Sequence, residues 1–123
     1  MDRIRGFLDG TGTGAFITLD FGQGALDFLI DTGFDGSLVV GEELFDRSNA
    51  VSAGAITAEL ASDQTFQYET FLVEFEWLGQ TLLTRVLVGT GKECLLGTAL
   101  LEPHRLEIDY RRRTVELIPD ENW

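Results

Sequence analysis

The residues best suited to chemistry lie in one short stretch, LIDTGFDGSLVV, where an apolar run breaks at Asp31, Thr32 and Gly33. A second aspartate, Asp35, follows before the chain becomes apolar again. A carboxylate in such a place can act as a general acid or base. It can also bind calcium, or form a turn, for which Asp and Gly are common choices. Three interpretations are therefore open: a catalytic aspartate, a calcium loop and a plain hairpin turn.

The calcium interpretation rests on four residues, because Asp31, Asp35, Gly36 and Glu42 fall on positions of the EF-hand loop pattern. Gly33, however, stands where that pattern needs a side-chain oxygen. An EF-hand also has a helix on each side, whereas the segments flanking this loop are rich in strand-forming residues. We therefore expect no metal and no other cofactor.

Length and composition are typical of one globular domain, residues 1–123. The chain is 44% hydrophobic and 24% charged, and at 123 residues it can bury roughly two thirds of its unfolded surface. Its net charge of -12 weighs against nucleic-acid binding, because an acidic surface repels phosphates. The dense basic run at 111–113 lies between two strand-like segments and is interpreted as a solvated turn.

The single cysteine, Cys94, excludes an internal disulfide and the paired-cysteine zinc patterns. Its apolar neighbours predict a small buried side chain. The sequence shows no charged-then-apolar leader and no apolar run of about 18 residues. We therefore expect no signal peptide, no membrane span and a cytoplasmic location.

Short strands must position the candidate residues, as fourteen glycines and period-two alternation of apolar and polar residues indicate. Strands are predicted over 15–21, 25–30, 37–40, 81–88, 94–96, 105–110 and 114–118. Residues 55–77 predict a long hairpin with a polar tip at 62–64. Residues 41–45 predict one helical turn, and 98–102 a short helix stopped by Pro103.

Two segments far apart in the chain share one shape. LIDTG at 29–33 and LLGTA at 95–99 both place two apolar residues before a small turn that contains a threonine, and the second lacks the aspartate. Through LIDTGFDGSLVV and RVLVGTGKECLLGTALLEPHRLEIDY (85–110), the sequence resembles the retropepsin-like aspartic proteases, the single-domain, homodimeric relatives of pepsin. The similarity extends over residues 14–118.

The resemblance implies an all-β chain, with a retropepsin-like closed β-barrel acid-protease fold, one short C-terminal helix and a β-hairpin flap. It implies an aspartic endopeptidase in which Asp31 from each of two subunits meets across a two-fold axis and activates a water molecule. A pepsin-like chain that carries both aspartates needs more than twice as many residues. The expected partners are a second copy of the chain and a peptide or protein substrate.

The resemblance also assigns roles to individual residues. Thr32 hydrogen-bonds across the dyad, Gly33 lets the backbone pass close to the carboxylates, and Asp35 binds the substrate main chain. The alternative for Asp35 is a turn-capping aspartate. The residues assigned to substrate binding are Phe34, Asp35, Gly36, Ala61, Ser62, Asp63 and Gln64. Thr98 and Ala99 stand where family members often have an arginine, so Asp35 is expected to lack that ion-pair partner.

Two departures from the family support an alternative function. Phe34 replaces a small residue, so it either narrows a substrate pocket or packs, and the flap tip at 61–65 has no glycine. The alternative is a catalytically weak or inactive retropepsin-like module that dimerises or binds peptide. His104, the single histidine, has no nucleophile motif with it and is assigned a structural role.

Overall fold

The computed structural model describes residues 3–11, 14–20, 24–59 and 65–123, with the backbone alone at 49, 58 and 59. Within these ranges the chain forms ten strands and one short helix, α1. The strands are β1 (Ile4–Leu8), β2 (Ala15–Asp20), β3 (Ala25–Ile30), β4 (Leu38–Gly41), β5 (Val51–Glu59), β6 (Thr65–Trp77), β7 (Gln80–Gly89), β8 (Leu95–Leu96), β9 (Arg105–Asp109) and β10 (Thr114–Ile118). Helix α1 is Thr98–Leu101, and a 3-10 turn covers Arg47–Asn49. The predicted all-β chain with one short helix is confirmed.

All ten strands belong to one sheet, in the order β5-β6-β7-β4-β8-β3-β2-β1-β10-β9. Two neighbouring pairs are parallel, β3 with β8 and β4 with β7, and the other pairs are antiparallel. Within the described ranges β5 pairs only with β6 and β9 only with β10. The expected closed barrel is therefore wrong, because the two end strands of the sheet do not meet.

The core lies on one face of each strand, as the alternation in the sequence predicts. In β2, Ile17 and Leu19 are buried while Thr18, between them, is exposed. In β6, Phe71, Phe75 and Trp77 are buried on the same face, and Trp77 is only 1% exposed. These buried residues join one hydrophobic cluster, which removes the apolar face of the sheet from water.

The local sequence pattern failed to predict two features of the fold. Strand β1 was not predicted, although it pairs with both β2 and β10. Its central residue, Gly6, packs so closely that an added Cβ would collide with the Phe16 carbonyl. Residues 42–44 form a plain turn where one turn of helix was predicted, and Gly41 still belongs to β4.

Strands β5 and β6 form the predicted long hairpin, paired from Val51 with Leu72 to Glu59 with Thr65. It begins four residues earlier than predicted, because the pairing continues through a bulge between Ser52 and Gly54. At Gly54 the backbone has φ of +90°, a conformation that glycine adopts without strain. The predicted tip, 62–64, lies outside the described residues.

His104 connects the start of β9 to the segment that follows β10. Its Nδ1 accepts a hydrogen bond from the backbone N–H of Asp120 (3.3 Å), and its ring meets that of Trp123 edge-on, with 4.7 Å between centroids. Nε2 is buried and has no hydrogen-bond partner among the described residues. Burial lowers the pKa of His104, and the nearby Asp120 carboxylate opposes that shift.

The lowered pKa of His104 predicts a pH-dependent stability. The folded protein binds the proton less tightly than the unfolded chain, so this contribution is complete above the ordinary histidine pKa of 6.5 and is lost as the pH falls below it. His104→Phe keeps an aromatic ring and removes the titration. Urea unfolding between about pH 7.5 and about pH 5.5 should show a steeper loss of stability for the wild type than for His104→Phe. Equal slopes would contradict this.

Candidate active site

The loop 31–37 connects β3 to β4, but these two strands are not paired with each other. Strand β8 lies between them, parallel to β3 and antiparallel to β4. A plain hairpin turn joins neighbouring antiparallel strands, so that interpretation of the loop is wrong. The loop also has a strand on each side, where an EF-hand has helices.

The turn that follows β8 runs across this loop and is hydrogen-bonded to it. The backbone bonds are from Asp31 N–H to the Leu96 carbonyl (2.9 Å), Gly97 N–H to Ser37 (2.9 Å), Thr98 N–H to Phe34 (2.8 Å) and Ala99 N–H to Gly36 (3.2 Å). The Thr98 hydroxyl also donates to the Phe34 carbonyl, at 3.3 Å. One segment therefore holds the loop from its first residue to its last.

Gly97 lies where the turn after β8 crosses loop 31–37, a contact called the crossing below, and there is no room for a side chain at this position. Its φ of -105° is available to any residue, but an added Cβ would collide with the Gly36 carbonyl oxygen and lie 2.6 Å from that of Phe34. The two segments that share one shape in the sequence also lie side by side. Leu29 pairs with Leu95 and Ile30 with Leu96, and this register places Asp31 beside Gly97.

Asp31 stands at the end of β3 and is half-buried. Its Oδ1 accepts a hydrogen bond from the Gly33 backbone N–H at 2.9 Å, which fixes the orientation of the carboxylate. A Cβ on Gly33 would lie only 3.3 Å from that oxygen. Thr32 is exposed, and its hydroxyl makes no hydrogen bond to any described residue. The three residues predicted to be catalytic are consecutive in the chain and follow the end of β3.

The Phe34 ring lies over two glycines. An added Cβ on Gly36 or on Gly97 would come within 2.5 Å of ring atoms, so the ring packs on the crossing and also lines the cavity described below. Asp35 is exposed and forms no ion pair within the described residues. The remaining residues assigned to substrate binding, 61–64, lie outside the described residues.

A cavity of about 970 Å³ opens above the loop. Loop 31–37 lines one side of it, together with the ends of β4 and β7 and the segment before β8. The β5–β6 hairpin supplies the opposite wall. The residues contributed by the hairpin are Ile56, Thr57, Phe66, Gln67, Tyr68 and Glu69. Asp31 therefore lines a cavity at the upper end of the volumes typical of ligand sites.

Several cavity residues were not predicted from the sequence. Arg47 lines the cavity and donates a hydrogen bond from Nη2 to Oε1 of Glu69 on the hairpin, at 3.0 Å. Glu93 reaches the cavity from the turn before β8. Long-range strand pairing brings these residues together, so no local pattern signals them. Among the described residues, no group of three His, Cys, Asp or Glu side chains could hold a metal ion.

Cys94 lies just before β8 and is buried, as predicted. Burial raises the pKa of its thiol, so the side chain is uncharged. None of the helices among the residues described has the length and apolar character needed to cross a membrane.

The fold resembles those of solved structures. A retropepsin-like aspartic protease from Rickettsia conorii superposes with a TM-score of 0.65 and 19% identity, over 96% of this chain and 91% of that one. A foamy viral protease–reverse transcriptase, in complex with an RNA/DNA hybrid, superposes with a TM-score of 0.55 and 14% identity, over 76% of this chain and 13% of that one. No protein-family model and no curated protein sequence matches. The chain has the retropepsin-like fold.

Because the crossing leaves no room at Gly97, one added methyl group there is predicted to lower the stability of the protein. Gly97→Ala should lower the free energy of unfolding by about 1–3 kcal/mol, because the new Cβ collides with backbone atoms that are fixed by hydrogen bonds. Gly10→Ala is the control, since an added Cβ there meets nothing within 4 Å. Urea unfolding of both variants measures the difference, and equal stabilities would show that the crossing can relax.

Proposed function

We propose that this protein is an aspartic endopeptidase whose active site forms between two copies of the chain. The observation that carries the proposal is the position of Asp31, in an Asp-Thr-Gly loop that lines a large cavity of a retropepsin-like fold. The fold is shared with a protein described as an aspartic protease. The chain acts as one domain that supplies half of the site.

The chemistry requires two carboxylates. One accepts a proton from water while the other, protonated, donates a hydrogen bond to the scissile carbonyl. Two carboxylates about 3 Å apart cannot both be ionised, so the pair shares one proton. The chain has a single Asp-Thr-Gly, and the residue beside Asp31 in the described structure is Gly97. A second copy related by a two-fold axis supplies the missing carboxylate as Asp31 of the partner subunit.

In the proposed reaction, the ionised Asp31 takes a proton from the bound water, and the water oxygen attacks the carbonyl carbon of the peptide. The protonated carboxyl of the other subunit gives its proton to the carbonyl oxygen, which produces a tetrahedral diol. The carboxyl of Asp31 then gives its proton to the leaving nitrogen while the partner's carboxylate takes a proton from the diol, so the C–N bond breaks, an acid and an amine form, and both carboxyls return to their starting states. The Gly33 N–H, which already holds Asp31 Oδ1, turns the other carboxylate oxygen towards the water.

The substrate binds as an extended strand between loop 31–37 and the β5–β6 hairpin, which acts as the flap. Asp35 and Gly36 contact its main chain, and Phe34 limits the size of the neighbouring side chain. Ala61, Ser62, Asp63 and Gln64, which lie outside the described residues, are also proposed to bind the substrate. The Thr32 hydroxyl, exposed in the single chain, hydrogen-bonds to the partner subunit and orients the dyad.

Replacing the proposed catalytic carboxylate tests the function directly. Asp31→Asn should lower peptide cleavage by about a thousand-fold or more, because the amide cannot accept the proton from water. Glu74→Gln, the same chemical change on the exposed face of β6 away from the cavity, should leave the rate unchanged. The assay is cleavage of a broad peptide library in acid, with and without a transition-state-mimicking aspartic protease inhibitor. Wild-type turnover by Asp31→Asn would refute the proposal.

Mixing subunits tests whether two copies build the site. When Asp31→Asn chains are added to an equal amount of wild type and allowed to exchange, half of the wild-type chains enter mixed dimers, so activity should fall to about half. Glu74→Gln chains added in the same way should not reduce it. Unchanged activity in both mixtures, with exchange verified by a labelled subunit, would show that one chain suffices.

A further inference from the structure

The cavity walls carry mainly negative charge. Its ionisable carboxylates are Asp31, Asp35, Glu42, Glu69 and Glu93, and its one basic side chain among the described residues is Arg47. Arg47 is already held by Glu69, with 3.0 Å between Nη2 and Oε1. That pair neutralises itself, so three carboxylates besides the proposed catalytic Asp31 face the cavity with no ion pair inside the described part of the chain.

Two of these carboxylates, those of Glu42 and Glu93, are carried by backbone segments that are bonded to each other. Glu42 N–H donates to the Gly89 carbonyl at 2.8 Å, and Glu43 N–H donates to that of Gly91 at 3.0 Å. The contact is so close that a Cβ on Gly41 would lie 2.7 Å from the Cα of Lys92. The end of β4 and the turn that carries Glu93 therefore form one rigid wall, and both side chains leave it from fixed positions.

The cavity is acidic partly because most basic residues lie at the other end of the sheet. Six of the nine basic residues lie on or next to β1, β9 and β10, which stand together at the end of the sheet away from the hairpin. They are Arg3, Arg5, Arg105, Arg111, Arg112 and Arg113. Several of them are paired there, for example Arg3 with Glu116 at 2.6 Å. Positive charge is thus concentrated away from the cavity.

The cavity carboxylates are spaced apart, so they favour a ligand whose positive charges are also spaced apart over a single metal ion. No three of the described acidic side chains are grouped so that they could share a metal ion, and the carboxylates of Asp35, Glu42 and Glu93 come from different segments of the wall. A cleft lined by one sign of charge attracts ligands of the opposite sign and excludes those of the same sign. Lysine and arginine side chains place such charges on flexible stems along an extended peptide.

We infer that the cavity selects peptides with lysine or arginine near the scissile bond and rejects acidic ones. The inference rests on the proposed function, whose substrate class it names. Glu42 and Glu93 are the specificity-determining residues, because they stand on the rigid wall and take no part in the chemistry. The two-fold axis repeats them, so basic side chains are favoured on both sides of the cleaved bond.

The first experiment maps cleavage sites in a random peptide library by mass spectrometry, at about pH 6, above the usual titration range of carboxyl side chains. Lysine and arginine should be enriched, and aspartate and glutamate depleted, within a few residues of the cut. Matched peptides with lysine, norleucine or glutamate at the enriched position then give kcat/KM. The lysine peptide should be preferred, and about 0.5 M salt should weaken its advantage. No preference, or preference for the glutamate peptide, would overturn the inference.

The second experiment assigns the preference to residues. Glu42→Gln and Glu93→Gln should each reduce the lysine-over-glutamate ratio of kcat/KM by about two- to five-fold. Glu43→Gln is the matched control, because Glu43 is an exposed neighbour of Glu42 that does not line the cavity. If Glu43→Gln lowered the ratio as much as Glu42→Gln, the effect would come from net charge and the assignment would be wrong.

A binding measurement separates this inference from the proposed function. The fluorescent lysine and glutamate peptides are titrated with Asp31→Asn protein, and their anisotropy reports affinity without cleavage. Tighter binding of the lysine peptide by a protein whose wild type cleaves nothing would leave the inference standing and refute the peptidase. Cleavage by the wild type, together with equal affinities for the two peptides, would support the peptidase and refute the inference.

Discussion

The structure depends on one turn lying across another. Loop 31–37 carries backbone polar groups that no strand ladder satisfies, and the segment from Leu96 to Ala99 satisfies them at four points. The same contact inserts β8 between β3 and β4, so it sets the strand order in the middle of the sheet. A carboxylate at the end of β3 is then fixed in direction before any ligand arrives, which is what catalysis by positioned groups requires.

The opposite wall of the cavity is fixed by different means. The β5–β6 hairpin is rooted at a bulge, where the buried Thr70 hydroxyl donates to the Gly54 carbonyl at 3.0 Å. The ion pair between Arg47 and Glu69 then ties the hairpin to the chain that follows β4. Exposed pairs of this kind contribute little to stability. The hairpin is therefore held mainly by its strand pairing and by the hydrogen bond at its root.

The parts of the fold that sequence could predict are those in which one buried face imposes a period. The alternation in β2 and β6 follows directly from burial, and the resemblance between 29–33 and 95–99 located the two turns that cross. A buried face shows that a strand packs on the core, but it does not show which strand is its neighbour in the sheet. The open sheet order, the unpredicted β1 and the meeting of Arg47 with Glu69 all depend on contacts between distant segments. Gly6 illustrates this, since its local sequence gives no sign of the Phe16 carbonyl against it.

Gly97 also limits how this fold can change. It lies beside Asp31 in the register of β3 and β8, so a carboxylate introduced at this position would begin next to that of Asp31. Any side chain there begins with a Cβ, and that atom has no room against the Gly36 and Phe34 carbonyls. Gly97→Asp would therefore break the crossing before it could add a functional group. A carboxylate beside Asp31 within one chain would therefore need a rebuilt turn.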